Sequence, residues 1–174
     1  MFKDEENKKQ KGKGNTMEII IETPKGSRCK YILEEATGHI KLKKSMPLGF
    51  SFPFDFGMIP GTLAEDGDPV DVLLLMEEAV YPGVFVDVRI IGGLKADQQK
   101  TRKNRNDRII AVEPTCPVYG HLQSVNDLSP AMMKQIENFF VSYNQVQGKT
   151  FTSLGWADAD EARQLIADAV VKQI

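Results

Sequence analysis

Asp66-Gly67-Asp68-Pro69-Val70-Asp71 runs without a break into Val72-Leu73-Leu74-Leu75-Met76, so three carboxylates precede or enter a segment that reads as a buried strand. An unpaired charge at such a place is costly. Asp66 and Asp68 lie two residues apart, on one face of an extended segment, and Pro69 stiffens the approach to Asp71. Their oxygens can converge on a hard divalent cation, Mg²⁺ or Mn²⁺, which keeps coordination positions for water and phosphate oxygens. The competing explanation is an ordinary acidic turn, since Asp, Gly and Pro open strands in many proteins. For an isolated Asp-Gly-Asp-Pro the turn is the commoner explanation. A calcium loop does not fit, because Pro69 and Val70 break the required alternation and no glutamate stands at the closing position.

On either side of this stretch, short β-rich runs are separated by turn residues: Met17–Glu22, Lys30–Leu33, His39–Leu42, Val70–Met76, Val84–Gly92 and Arg108–Val112. Closely spaced strands without intervening helices predict a small barrel. Residues Pro47–Thr62 hold four phenylalanines among prolines and glycines and read as an aromatic-lined irregular segment. Two helices follow. The first has Ser129 as N-cap, Pro130 at the first position and an apolar stripe of Met132, Met133, Ile136, Phe139, Phe140 and Tyr143. The second starts near Asp158 with a capping-box-like Glu161 and a stripe of Ala162, Leu165, Ile166, Ala169 and Val170. Strands followed by helices give an α+β fold dominated by a β-barrel.

The chain has 174 residues and is 41% hydrophobic, enough for one domain with a substantial core. Residues 1–16 are nearly all charged or polar and read as a flexible tail, leaving 17–174 as the domain. Lys and Arg number 22 against 24 Asp and Glu, so charge alone does not favour nucleic acid as a partner. Cys29 and Cys116 have no metal-ligand spacing, and no signal peptide is recognisable, which points to a reducing cytoplasm. No apolar run approaches the roughly 18 residues of a membrane span.

The acidic motif has companions in a recognisable order. Upstream stands Ile21-Glu22-Thr23-Pro24-Lys25-Gly26-Ser27-Arg28-Cys29-Lys30-Tyr31, followed by Phe52-Pro53-Phe54-Asp55-Phe56-Gly57-Met58-Ile59. Downstream come Tyr81-Pro82-Gly83, Phe139-Phe140-Val141-Ser142-Tyr143 and Gly148-Lys149 leading to Gly155-Trp156. Together these residues resemble the soluble family I inorganic pyrophosphatases, from about residue 17 to the C-terminus. The resemblance implies a distorted five-stranded OB-like β-barrel with two C-terminal helices, and Mg²⁺-dependent hydrolysis of pyrophosphate. By position it implies Asp66 and Asp71 as metal ligands, with Asp71 bridging two ions, and Asp68 as the acceptor of the attacking water's proton. It implies Glu22 as an outer metal-linked carboxylate, and Lys30, Lys44, Arg108 and Tyr143 as phosphate contacts. It also implies a cytoplasmic homo-oligomer, often a hexamer in bacteria.

Several positions depart from the family pattern. Ile32 stands where the family usually has glutamate, Phe52 and Phe56 where it has tyrosines, Lys44 where it has arginine, and Asn144 where it has lysine. Phenylalanine keeps a ring's packing but loses its hydroxyl, and lysine replaces a bidentate fork by a point charge. The basic segment 96–108 is longer than usual. Anchored on Arg108, it puts Asn106 at a metal-binding aspartate, leaving Asp107 and Asp97 as candidate downstream ligands. Three readings stand beside one another: a pyrophosphatase, a metal-dependent hydrolase of another phosphoanhydride, and a non-catalytic OB-like module holding nucleic acid or phosphate.

Overall fold

The computed structural model describes residues 16–171; the expected tail lies outside them, apart from Thr16. The strand expected after the acidic motif forms as β5 (Asp71–Leu75). Leu73 and Leu75 join an apolar cluster with Phe52, Phe56, Phe140 and Phe151, while Val72 and Leu74 join another with Ile19, Ile21, Ile109 and Ile166. This is the period-two geometry of a strand covered on both faces, which is why its apolar run is continuous.

Around β5 the sheet is mixed. On one side lies the antiparallel β4 (Asp55–Met58) and on the other the parallel β8 (Arg108–Val112). β1 (Met17–Thr23) pairs with β4, and the long β6 (Phe85–Gln99) pairs with both β8 and β1, so the hydrogen bonding returns to its starting strand. β7 (Lys103–Arg105) and β9 (Thr150–Ala157) pair with the far part of β6, completing seven strands. β2 (Cys29–Glu34) and β3 (His39–Ser45) form a separate hairpin.

Four strand segments differ from the sequence expectation. β4 forms inside the aromatic stretch read as irregular, because Gly57 lets it close on β1: a Cβ there would lie 2.3 Å from the Ile20 carbonyl oxygen, a clash with backbone that cannot move aside cheaply. β6 continues to Gln99, beyond Gly92, and β7 and β9 appear beside it. The polar residues among these, Asp97–Gln99 and Lys103–Arg105, are strands through cross-strand pairing rather than through an apolar pattern.

Both helices form where their caps stand. α1 (Pro130–Gln145) is capped by Ser129, whose Oγ accepts from the Met132 N–H at 3.1 Å. α2 (Ala159–Ala169) is capped by Asp158, which accepts from the Glu161 N–H at 2.8 Å. Glu161 turns to Lys95 at 2.8 Å instead of back to the cap. Val170 lies past the helix end, bridging to Thr62 and 54% exposed, so it drops out of the expected apolar stripe.

Asp55 anchors two loops to β4. Its side chain, 1% exposed, accepts from the backbone N–H of Lys25 at 2.8 Å and of Val80 at 3.2 Å. Burial pushes its carboxyl up from the ordinary aspartate range, with the two N–H donors and the Lys25 charge opposing. A carboxyl raised in the folded state binds its proton more tightly there than when unfolded. Its contribution to stability is therefore present below the unfolded pKa, about 3.9, and lost as pH rises through the folded value. Urea unfolding across pH checks this: wild type loses stability relative to Asp55→Asn between acid and neutral pH, and the opposite trend contradicts it.

Candidate active site

The acidic motif opens onto a cavity of about 270 Å³ lined by most elements of the fold. Glu22 comes from β1, and Lys30 and Ile32 alternate on one face of β2. Phe56 and Met58 come from β4, and Asp66, Asp68 and Asp71 from the turn and the start of β5. Gln98 and Arg108 lie on β6 and β8, with Asn106 between. Tyr143, Asn144, Gln147 and Lys149 come from the end of α1 and the loop beyond it. Register explains the gathering. Asp71 is the strand partner of both Met58 and Arg108, and its side shares the parity of Leu73, so the aromatic cluster forms the cavity floor.

The turn itself is tight. Gly67 takes a positive φ of 87°, open to glycine at little cost, and Asp66 accepts from the Asp68 N–H at 3.1 Å. The second Asp66 oxygen accepts from Asn106 Nδ2 at 2.8 Å. Asp68 is exposed, and its carboxylate has no hydrogen-bond or ion-pair partner among the described residues. Burial raises the Asp66 carboxyl, and the nearby charges of Asp71 and Asp68 add to the rise. Glu22, 7% exposed, accepts from the Leu33 N–H at 2.8 Å. Burial raises it too, against the pull of that N–H and of Lys30. Half-buried carboxylates crowded in this way gain most from a nearby cation.

Cations face them. Arg108 is 3% exposed, is paired with Asp71 through NH1, and bonds the Asn106 side-chain oxygen. Its guanidinium carbon lies 5.3 Å from the Phe140 ring centroid and 5.9 Å from that of Phe151. Its Nε–H is buried without an acceptor among the described residues. Lys30 is 8% exposed and rests its ammonium 4.1 Å from the centroid of Phe56 and 5.6 Å from that of Tyr143. Phenylalanine at position 56 thus works as a cation–π platform. Lys149 is lowered from the ordinary lysine range by burial first and by Lys43 next, and Lys44 by burial and then Lys149 and Lys43.

The residues singled out from sequence divide clearly. Glu22, Lys30, Asp66, Asp68, Asp71, Arg108 and Tyr143 line the cavity together. Lys44 sits behind it, donating to the side-chain oxygen of Gln147. Asp97 and Asp107 do not line it. Asp97 is paired with Lys103 at 2.7 Å, and strand alternation sends its neighbour Gln98 to the cavity instead. Asp107 accepts from the Ala96 N–H at 3.0 Å and from Arg105 Nε at 2.5 Å, and faces a second cavity beside α2. Lys43 and Gln98 also line the cavity, although no motif marks either in the sequence, and so does Lys149, whose signal is the Gly148-Lys149 pair among the motif's companions.

Among the described residues, no three His, Cys, Asp or Glu side chains gather closely enough to hold a metal as they stand. The donor set nonetheless fits a hard divalent ion. It consists of carboxylate oxygens without imidazole or thiolate, with Asp68 unpartnered and open to solvent.

A family model described as inorganic pyrophosphatase matches residues 19–173. The chain is similar to the inorganic pyrophosphatase of Leifsonia xyli subsp. xyli, at 41% identity over 86% of this chain and 90% of that one. With the inorganic pyrophosphatase of Sulfolobus acidocaldarius it shares 35% identity over 90% of each chain. The crystal structure of inorganic pyrophosphatase from Thermus thermophilus superposes with a TM-score of 0.82 at 32% identity, covering 91% of each chain. With a matching model over nearly its whole length, the chain belongs to the inorganic pyrophosphatase family.

Proposed function

We propose that this chain hydrolyses inorganic pyrophosphate to two phosphates, and that residues 17–174 form one pyrophosphatase-like domain for that purpose. The observation that carries the reading is the convergence of the three motif aspartates with Lys30, Lys149 and Arg108 on one cavity. A small, doubly phosphorylated anion meets cations there, while carboxylates stand ready for its counter-ion. The circuit of pairings from β1 through β4, β5, β8 and β6 back to β1 supports a distorted five-stranded, OB-like barrel as the scaffold.

In this reading Asp66 and Asp71 hold Mg²⁺ or Mn²⁺, with Glu22 behind them. When bound, the ion supplies Lewis-acid polarisation and neutralises phosphate charge. The protein's own groups do the rest. Lys30, Arg108 and Tyr143 hold phosphate oxygens. Lys44 acts from behind through Gln147. Asp68, exposed and unpartnered, takes the proton of the attacking water as its oxygen bonds to one phosphorus. The bridging P–O bond breaks, and its electron pair leaves with the second phosphate. Positioning and electrostatics of this kind carry most of phosphoryl-transfer catalysis.

No helix among the described residues is long and apolar enough to cross a membrane. We place the chain in the cytoplasm as a homo-oligomer, with pyrophosphate rather than nucleic acid as its partner. Phosphate release from pyrophosphate, assayed with and without Mg²⁺, tests the function. Turnover requires the ion, and a chain inert at every Mg²⁺ concentration would overturn the proposal. A ligand that binds only the folded chain also stabilises it, by about 2.7 kcal/mol at a hundred times its Kd. Thermal unfolding should therefore shift upward with Mg²⁺ and return on chelation.

A further inference from the structure

The two walls of the cavity are chemically unequal. The turn wall carries Asp66, Asp68 and Asp71, all oxygen donors for a cation. The opposite wall, where β6 ends and β8 begins, carries Gln98, Asn106 and Arg108. Gln98 Oε1 accepts from Asn106 Nδ2 at 3.0 Å and from Arg108 NH2 at 3.4 Å. Asn106 Oδ1 accepts from Arg108 NH1. Both amide oxygens, the only cation ligands on this wall among the described residues, thus accept from the guanidinium, and that of Gln98 also from the Asn106 amide N–H. Asn106 Nδ2 meanwhile donates to Asp66, so the wall presents donors to the carboxylates.

From this arrangement we infer that the site holds a single divalent cation tightly, on the carboxylate wall, and that the Arg108 guanidinium supplies the second fixed positive charge. The inference rests on the proposed function for the identity of the ion, and on geometry for the count. Arg108 is held for this task. Aromatic rings flank it, its charge is paired with Asp71, and one buried N–H is left over. A guanidinium is permanently charged and, unlike a metal, does not leave on chelation. Neutral amides are also much weaker ligands for a hard cation than carboxylates, because they bring no charge to offset its lost hydration.

The test counts ions without using activity. The full chain is freed of metal with a chelator and titrated with Mn²⁺, bound ion being read by the loss of the free Mn²⁺ paramagnetic resonance signal. The wild type should bind about one ion per chain tightly, any second ion being at least about tenfold weaker, a gap of about 1.4 kcal/mol. Gln98→Asp with Asn106→Asp converts the amide wall to carboxylates and should add a second tight ion. Wild type that binds two or more ions with comparable affinity overturns the inference, as does a folded double variant that gains none. Should the double variant fail to fold, the wild-type count alone decides. The proposed function fails differently: a chain that binds one ion but never releases phosphate leaves this inference standing, while a chain that turns over with two tight ions leaves only the function.

Discussion

Asp68→Asn lowers kcat for pyrophosphate by about 10²- to 10⁴-fold, the range expected when a positioned proton acceptor is removed, while leaving the fold intact. The two halves of that statement come from the same geometry. Asp68 is exposed, and its carboxylate touches no partner among the described residues, so its replacement should change unfolding free energy by no more than about 0.5 kcal/mol. Asparagine keeps the side chain's size and its turn preference but cannot accept a proton at neutral pH. Because Asp68 is proposed to act on the water rather than on the phosphates, KM should move much less than kcat. Steady-state kinetics with Mg²⁺, beside a urea unfolding curve, separates the outcomes. A variant with undiminished kcat removes Asp68 as the proton acceptor. One that loses stability as well as activity shows that the turn had a structural task.

What could be read from the sequence depended on whether local signals agreed with tertiary ones. Both helices were legible because Ser129-Pro130 and Asp158 mark their starts chemically, and the stripe through Ile136, Phe140 and Tyr143 has helical spacing. β5 was legible because both its faces are apolar. β4 was not, since Pro53 and Gly57 interrupt Phe52–Met58 and its strand character comes from closing on β1. The same cause hid half of the site. Asp66, Asp68 and Asp71 lie in one local motif, whereas the opposite wall is assembled by register: Asp97 pairs with Arg105 and Gln98 with Asn104 across the β6–β7 hairpin. The acidic Asp97 and Asp107 are the ligands the sequence suggests, yet alternation sends Asp97 away, and Arg105 and the Ala96 N–H hold Asp107 on the far side. Gln98 is uncharged and carries no motif, so nothing short of the pairing identifies it.

The aromatic floor beneath the site supports the second large effect. Phe140→Ala should cost about 3–5 kcal/mol of stability, the usual range for emptying a buried aromatic site, and should weaken the active site as well. Phe140 is fully buried, packs on Phe151 with ring centroids 5.7 Å apart and meets Phe56 at 6.3 Å. It also lies under the Arg108 guanidinium. Against a typical total of about 5–15 kcal/mol, the loss would be a large fraction. For a chain of this size each kcal/mol moves Tm by about 2–4 °C, so thermal unfolding should fall by about 6–20 °C. Phe140→Leu separates packing from the ring. Leucine refills most of the volume, so the stability loss should be about 1–2 kcal/mol, but it offers Arg108 no π face. If Arg108 is held in part by that face, Phe140→Leu should raise KM for pyrophosphate at a stability that still leaves the chain folded. Equal KM in Phe140→Leu and wild type would show that the remaining contacts, to Asp71, Asn106, Gln98 and Phe151, hold the guanidinium in place without the Phe140 ring.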